Sequence, residues 1–304
     1  MTTHRTCLVA ISVTLAGAAA VPVAHATSTG AMIITNYGAN EGAVSASAGA
    51  GRIAWLRRPR VGAASVGRLA RGRPVTIPIP RPRELRWLRV GPGVGGSPEL
   101  TYARCAGSRC EVDRADLDGT HERRVLRNGR DAWVFGSSLL APFGTGWGIS
   151  RMGSDARPKP LLTPHKGRAW AFNGSAVAAI ETDYDGDVTI FRLTIASASV
   201  KRRVLLHRSF GMSNGFTLSI VGLTTTHAYA LELEDQEFGS GGQLWQVDLS
   251  DGRPHTASLP AGTVAATAPV GDKTAVSRCK DNEDGDHVSC LLELRTLTWR
   301  SPPR

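Results

Sequence analysis

The chain has 304 residues, of which 20% are charged, and its net charge is +10 because 36 lysines and arginines outnumber 26 aspartates and glutamates. This length is enough for a large hydrophobic core in one or two domains. The basic balance, in which arginine predominates over lysine, favours anionic surfaces such as cell-envelope polymers or lipid headgroups. Nucleic acid is a poor candidate partner because the chain begins with an export signal and contains no nucleic-acid-binding motif.

The N-terminus has the three parts of a secretory signal peptide. A short basic region with Arg5 precedes an apolar run, and the small residues Ala24 and Ala26 provide a cleavage site. The apolar run is too short for a membrane anchor, and no later segment approaches the ~20 apolar residues of a membrane helix. The sequence therefore predicts a cleaved signal peptide at 1–26 and a secreted or otherwise extracytoplasmic single domain at 27–304, with no transmembrane segment after cleavage.

A four-strand repeat recurs along the mature chain at intervals of about 45 residues. Short apolar or alternating runs are separated by Gly, Pro, Asn and Asp clusters, and no segment has a convincing amphipathic-helix pattern. In the clearest unit, the strands HAYALELEDQ and GGQLWQVDL are followed by the turn SDG and the final strand RPHTASLP. Repeats of this length with four strands are typical of β-propeller blades.

Division of the chain by this repeat predicts an all-β fold, a β-propeller with six four-stranded blades. The predicted blades span 42–80, 83–127, 131–163, 167–208, 215–260 and 262–299. The last blade lacks a fourth strand, so we expect the N-terminal run AMIITN to supply it and to close the ring. Two β-sandwich domains are the alternative, although the chain shows no midpoint linker.

This layout resembles that of exported six-bladed propellers such as the periplasmic Tol-system propeller. The resemblance covers the whole mature chain and depends on the blade arrangement alone, without a shared motif. It implies a propeller fold and a tendency towards binding, and it assigns no site residues.

Four cysteines remain after the signal is removed, in two pairs that are each close in sequence. Four cysteines allow three connectivities. We favour Cys105–Cys110 and Cys279–Cys290, because export favours disulfides and each of these pairs would join neighbouring strands of one hairpin. The alternative is a four-cysteine zinc site, whose usual spacings the sequence does not match.

Catalytic motifs are poorly represented in the sequence. The segment GMSNG matches the G-x-S-x-G pattern, in which Ser213 would be the nucleophile. The residues after it are β-branched and not helical, so a turn explains the segment better. The histidines are scattered without the spacing of a metal site. The sequence favours a non-catalytic protein, with a Ser213 hydrolase or another propeller enzyme as the alternative.

Acidic clusters fall in the predicted loops between the second and third strands of blades four, five and six. Calcium takes oxygen ligands from such loops, although Asp-Gly pairs also form ordinary hairpin turns. The candidate calcium ligands are Asp183, Asp185, Asp187, Asp281, Asp284 and Asp286. The third cluster, in blade five, consists of Glu234, Asp235 and Glu237.

The equivalent loop of blade one is basic and contains Arg57, Arg58 and Arg60. Equivalent loops of a propeller emerge on the same face, so we expect one face to be acidic over blades four to six and basic near blade one. A face divided in this way suits a charged partner or a bound cation. The sequence therefore predicts an exported binding or scaffold module whose partner is an exported protein or a cell-envelope polymer.

Overall fold

A computed structural model describes the following residues: 31–37, 43–59, 63–127, 129, 132–143, 146–153, 159–160, 170–198, 203–211, 215–234, 242–281 and 287–302. Over these residues the chain is built from β-strands, and the sole described helix is a single 3₁₀ turn at Pro82–Glu84. Within the same residues, no helix is long and apolar enough to cross a membrane.

The strands, numbered β1 to β24 along the chain, form six antiparallel sheets of four strands each. The chain starts with β1 (Met32–Tyr37), which belongs to the last sheet. Blade one contains β2 (Ala43–Gly49), β3 (Arg52–Arg58), β4 (Ser65–Ala70) and β5 (Arg73–Ile77). Blade two contains β6 (Leu85–Pro92), β7 (Pro98–Ala106), β8 (Arg109–Asp116) and β9 (Arg123–Arg127). Blade three contains β10 (Trp133–Phe135), β11 (Ser138–Phe143), β12 (Gly146–Arg151) and β13 (Lys159–Pro160).

The second half of the chain repeats the same order. Blade four contains β14 (Trp170–Phe172), β15 (Ala176–Asp185), β16 (Val188–Ser197) and β17 (Arg203–Gly211). Blade five contains β18 (Thr217–Leu223), β19 (His227–Leu233), β20 (Gly242–Asp248) and β21 (Pro254–Ser258). Blade six contains β22 (Thr263–Ala266), β23 (Lys273–Asp281) and β24 (His287–Thr296). The six predicted blades are confirmed.

The N-terminal strand closes the ring, as the sequence predicts. Strand β1 is the fourth and outermost strand of blade six, and it pairs antiparallel with β24. The register places Met32 opposite Leu294 and Tyr37 opposite Cys290. The two ends of the described chain therefore share one sheet, which hides the edge that β24 would otherwise expose.

Adjacent blades pack through their inner strands. Contacts join β2 to β6, β6 to β10, β10 to β14, β14 to β18, β19 to β22, and β23 back to β2. Blades four and five illustrate how the core forms, since Leu193 of one and Val247 of the other are fully buried in a single apolar cluster. Each blade buries its two faces against its neighbours, and this burial is what stabilises the ring.

Tight turns join the third and fourth strands of the blades. The turn of blade one shows which residues make such a turn possible. Arg71 and Gly72, with φ of 50° and 76°, lie between β4 and β5. A two-residue turn with positive φ at both positions matches the right-handed twist of the strands it connects. Glycine adopts this conformation at no steric cost, which explains its place in the turn.

Both predicted disulfides are present. Cys105 and Cys110 are bonded at 2.03 Å, and Cys279 and Cys290 are bonded at 2.01 Å. The two cysteines of each pair lie directly opposite one another on the second and third strands of their blade. The disulfides therefore cross-link the hairpins of blades two and six, as expected from the spacing.

A buried arginine joins blade two to blade three. Arg114 on β8 is 1% exposed, and its guanidinium pairs with the buried Glu99 on β7. It also donates hydrogen bonds to the carbonyl oxygens of Pro92, at 2.6 Å, and Gly136, at 2.9 Å. Arg123 forms a second, more exposed pair with the same carboxylate. The charge of Arg114 is thus paired with a carboxylate at the junction between two blades.

A second buried network faces blade one. Arg104 donates hydrogen bonds to Asp113 and to Glu122, both at 2.8 Å, and the hydroxyl of Tyr102 donates to Glu122, also at 2.8 Å. The guanidinium also reaches the carbonyl of Pro80, at 3.2 Å. The hydrogen bond from Arg104 is the main cause that lowers the pKa of Glu122, whereas burial raises the pKa of Asp113. Blade two therefore holds Arg104 and Asp113 inside the protein, paired with a carboxylate at its surface.

Candidate functional site

The two faces of the ring are defined by their loops. The four strands of each blade run alternately up and down, so loops between second and third strands emerge on one face, here called the charged face. Hairpins between first and second strands emerge on the opposite face, here called the hairpin face. The charged face carries the loops that the sequence singles out.

The second and third strands of blade four form a long hairpin that protrudes at the charged face. Each of these strands has ten residues, whereas the inner strand β14 has three. The tip, residues 183–187, is here called the blade-four tip. Gly186, with φ of 56°, forms the turn together with Asp187. Strand β17 supports the hairpin to its end, since Gly211 pairs with Val188.

The blade-four tip exposes one aromatic ring and three carboxylates. Tyr184 is 65% exposed, and Asp183, Asp185 and Asp187 around it are also exposed. The carboxylate of Asp183 accepts a hydrogen bond from Arg192 at 3.1 Å and another from the backbone N–H of Tyr184 at 3.0 Å. One of the three predicted calcium ligands is thus engaged by an arginine of the neighbouring strand.

The predicted basic loop of blade one lies on the same face. Arg57 and Arg58 are half-buried at the end of β3, and Arg58 donates a hydrogen bond to the carbonyl of Leu85 in blade two at 3.3 Å. Two further arginines are exposed at this face where the chain enters blade two: Arg83 on the connection and Arg86 at the start of β6. The described part of the basic sector therefore extends from blade one into blade two.

Several predicted site residues are not among the residues that the structure describes, and for Asp281 it describes only the backbone. Glu234 is half-buried just after β19, and the backbone of Asp281 ends β23. The residues that fall outside are Arg60, Ser213, Asp235, Glu237, Asp284 and Asp286. Over the part of the chain that the structure describes, no group of three or more His, Cys, Asp or Glu side chains is arranged to hold a metal ion. The calcium and partner-binding roles remain predictions.

A central cavity of about 810 Å³ lies inside the ring and is lined by segments of all six blades. The lining segments are 46–51, 88–92, 133–135, 170–172, 220–225 and 266–271, together with Gly96. The exposed lining residues belong to first-to-second hairpins: Ala50, Gly51, Gly96, Thr225 and Gly271. The cavity therefore opens on the hairpin face, opposite to the charged face, through a mouth of small side chains.

Tryptophans line one side of the central cavity. The half-buried rings of Trp133 and Trp170 have centroids 5.8 Å apart, and Trp147 packs edge-on against both, at 5.3 and 4.6 Å. The guanidinium of Arg89 lies 4.0 Å from the ring of Trp87 and 4.1 Å from that of Trp133. A cation fixed between two indoles gains cation–π energy and loses little freedom when it meets a ligand.

The central cavity could not be identified from the sequence. Its lining comes from short inner strands such as Trp133–Phe135, whose three residues show no measurable periodicity. The run RAWAF, which includes Trp170, has the pattern of a first strand. Which of its side chains face the cavity depends on closure of the ring. The available signal was compositional, because tryptophan starts the inner strands of two successive blades.

Comparisons with known proteins find distant structural similarity and no family. No model of a known protein family matches the chain, and no curated protein matches it. A similar solved structure is TolB from Acinetobacter baumannii, with 14% identity, a TM-score of 0.39, and coverage of 86% of this chain and 58% of that chain. Prolyl oligopeptidase B from Galerina marginata is similar at 9% identity and a TM-score of 0.37, over 80% of this chain and 42% of that chain.

The AfRom2 CNH domain is also similar, at 9% identity and a TM-score of 0.35, over 87% of this chain and 94% of that chain. This chain spans less than two thirds of the TolB chain and less than half of the prolyl oligopeptidase chain. At such identities and TM-scores the similarity transfers neither a partner nor an activity. By its strand order, the chain is a six-bladed β-propeller whose N-terminal strand closes the ring.

Proposed function

We propose that this protein is an exported, non-catalytic binding module whose charged face recognises a positively charged protein partner through the blade-four tip. The observation that carries the proposal is Tyr184, which is 65% exposed at the end of a protruding hairpin whose tip also carries three exposed aspartates. Tyrosine is a common anchor at protein interfaces because it buries a large apolar surface and keeps a polar hydroxyl.

The hairpin is rigid enough to act as a recognition element. Asp183 to Asp185 pair with β16, and β16 pairs in turn with β17, so the backbone near the tip is held by three strands. The stacking of Phe210 on Phe216, with centroids 4.2 Å apart, fixes the outer strand near the same end. A tip ordered before binding pays little conformational entropy on association.

The distribution of charge gives the partner its orientation. The aspartates of blade four and the arginines of blades one and two lie in different sectors of one face. A partner with complementary sectors would be steered to a single orientation, and one with the reverse pattern would be repelled. Calcium bound by the acidic loops is the alternative use of the same residues.

Export is part of the proposal. It is supported by the signal-like segment at 1–26 and by two disulfides, which persist in oxidising compartments. The mature protein would then be the single propeller domain 27–304. The hydrolase alternative depends on Ser213, which lies outside the described residues.

Charge reversal at the blade-four tip tests the proposal. The variant Asp185→Lys/Asp187→Lys should lose the partner that wild-type protein retains on affinity purification from the native host. The matched control is Asp251→Lys/Asp272→Lys, which reverses two exposed aspartates on the hairpin side of the ring. Equal retention of the partner by both variants would contradict the proposal.

A further inference from the structure

We propose that the hairpin side of blade one binds a linear polysaccharide whose sugar units carry carboxylates. The contact is made by four arginines, here called the basic patch: Arg52, Arg68, Arg71 and Arg73. The proposal goes beyond the protein partner proposed above, because the basic patch and the blade-four tip lie on opposite sides of the ring. The two proposals can therefore fail independently.

Blade one carries charge of a single sign. Residues 42–83 contain nine arginines and no aspartate, glutamate or lysine. In blade two, by contrast, Arg104 and Arg114 pair with carboxylates of the same blade. A carboxylate that neutralises the arginines of blade one must therefore come from a neighbouring blade or from a ligand.

The register of the sheet brings three of these arginines together. Arg68 on β4 lies opposite Ala54 on β3 and opposite Val75 on β5. Alternate residues of a strand point to the same side of its sheet. Arg52 and Arg73 are therefore diagonal neighbours of Arg68 on one side of the sheet, each at about 7–8 Å. The three cationic side chains form one cluster on blade one.

The basic patch is accessible, and the described chain does not neutralise it. Arg52, Arg71 and Arg73 are exposed, and Arg68 is half-buried. Among the described residues, no carboxylate pairs with any of the four. Arg52 donates to the carbonyl oxygen of Gly51 at 3.0 Å, which leaves its charge uncompensated. Because like charges at this spacing repel each other, an anion that binds between them is favoured.

Arginine suits a polymer that carries carboxylates. The planar guanidinium donates two parallel hydrogen bonds to one carboxylate, which a lysine cannot do. A polyuronate repeats this group along its chain, so it can place successive carboxylates against separate arginines. Salt screens each exposed contact, so affinity depends on several contacts that are made together.

Neighbouring aspartates favour a narrow chain over a flat anionic membrane. Asp118, Asp251 and Asp272 are exposed on the hairpin side of blades two, five and six. An anionic bilayer that covered this whole side would be repelled by these carboxylates, whereas one polymer chain can follow blade one alone.

The basic patch lacks the anchors that bind proteins and nucleic acids. Trp55 is the one aromatic residue of segment 42–80, and it is buried at 6% exposure. Val75 is the one large apolar side chain exposed in the described part of this blade. Protein interfaces depend on aromatic or apolar anchors, and single-stranded nucleic acids stack on aromatic rings. A partner that is recognised through its charge fits this surface better.

Binding of the purified protein to immobilised polygalacturonate tests the proposal. Dextran is the neutral polymer, and vesicles of phosphatidylglycerol are the anionic membrane. We expect affinity for polygalacturonate to exceed that for dextran at least about tenfold and to fall with added salt. No binding to polygalacturonate, or equal binding to dextran, would overturn the proposal. Binding to the vesicles alone would assign the basic patch to a membrane and overturn the polysaccharide.

A variant of the basic patch locates the site. Arg52→Gln/Arg71→Gln/Arg73→Gln removes three exposed charges and should lower affinity for polygalacturonate at least about tenfold. The substituted side chains are exposed, so the thermal unfolding temperature should stay close to that of wild type. Unchanged affinity would overturn the site.

The matched control removes three exposed arginines of blades two and three. Arg109→Gln/Arg127→Gln/Arg151→Gln should lower affinity for polygalacturonate less than about threefold. Losses equal to those of the basic-patch variant would show that net charge alone binds the polymer, and would overturn the proposal. Asp185→Lys/Asp187→Lys should retain polygalacturonate, which separates this test from that of the proposed function.

Discussion

Blade two and blade four use the same residue types in opposite ways. In blade two, Tyr102 is fully buried and its hydroxyl donates to Glu122 within a network that includes Arg104. In blade four, Tyr184 is 65% exposed beside Asp185, at the end of a hairpin. Burial and pairing therefore decide whether an acidic or aromatic side chain serves the fold or is available to a partner. This comparison also explains why clusters of charge in the sequence were insufficient to assign a site.

Removal of a buried charge in blade two should have the largest effect. Arg114→Met leaves the carboxylate of Glu99 buried without its buried partner and removes the hydrogen bonds to Pro92 and to Gly136, the second of which lies in the next blade. We expect the free energy of unfolding to fall by about 3–5 kcal/mol, measured by chemical denaturation. The matched control is Arg123→Met, which removes the exposed partner of the same carboxylate and should cost less than about 1 kcal/mol. Equal losses would show that burial does not set the role of these charges.

Acid titration should expose the second network. Hydrogen bonds from Arg104 and Tyr102 help to hold the pKa of Glu122 below its usual value. A lowered pKa contributes stability that is present above the ordinary pKa of the carboxyl and is lost as the pH falls through the lowered one. Glu122→Gln should therefore cost about 1–2 kcal/mol at neutral pH, and the difference from wild type should shrink on acidification. A difference that is constant with pH would contradict this.

The larger substitution of the two tyrosines should cause the smaller loss in the free energy of unfolding. Tyr184→Ala removes a whole exposed ring, so the free energy of unfolding should change by less than about 0.5 kcal/mol. Tyr102→Phe removes a single buried hydroxyl that donates to Glu122, and it should cost about 1–2 kcal/mol. Both values come from denaturation curves. A greater loss for Tyr184→Ala would assign its ring to the core and remove it as a partner anchor.

Calcium should have the smallest effect, and its addition tests the remaining prediction for the acidic loops. A metal shared by Asp183, Asp185 and Asp187 requires a rise in Tm on addition of calcium, because a ligand that binds the folded state stabilises it. Asp185→Asn should remove that rise, and magnesium serves as the matched control ion. An unchanged Tm would contradict calcium binding at this tip, where Arg192 already engages one carboxylate.

Much of the fold was predictable because repeat length, turn residues and strand patterns are local properties of the sequence. The unpaired run AMIITN and the incomplete last blade together predicted ring closure, which β1 and β24 confirm. The cysteine spacings likewise predicted both disulfides. These features depend on neighbouring residues or on a count of strands.

The central cavity and the buried networks could not be predicted in this way. Asp113 and Arg114 are adjacent charged residues on β8, which would suggest a strand exposed to solvent. Both are buried, because this blade is covered by neighbours on its two faces. Arg89 and Trp133 lie on different blades, and their contact exists only once the ring has closed. Long-range packing of this kind leaves no pattern in a single sequence.

Site-specific photo-crosslinking tests most directly whether the blade-four tip is the recognition element. A photoreactive residue is placed at position 184 in one variant and at position 251, on the hairpin side of the ring, in a matched variant, and both are expressed in the native host. We expect one defined crosslinked protein from position 184, which disappears when Asp185 and Asp187 are replaced by lysine. No crosslinked protein from position 184, or the same product from both positions, would contradict it.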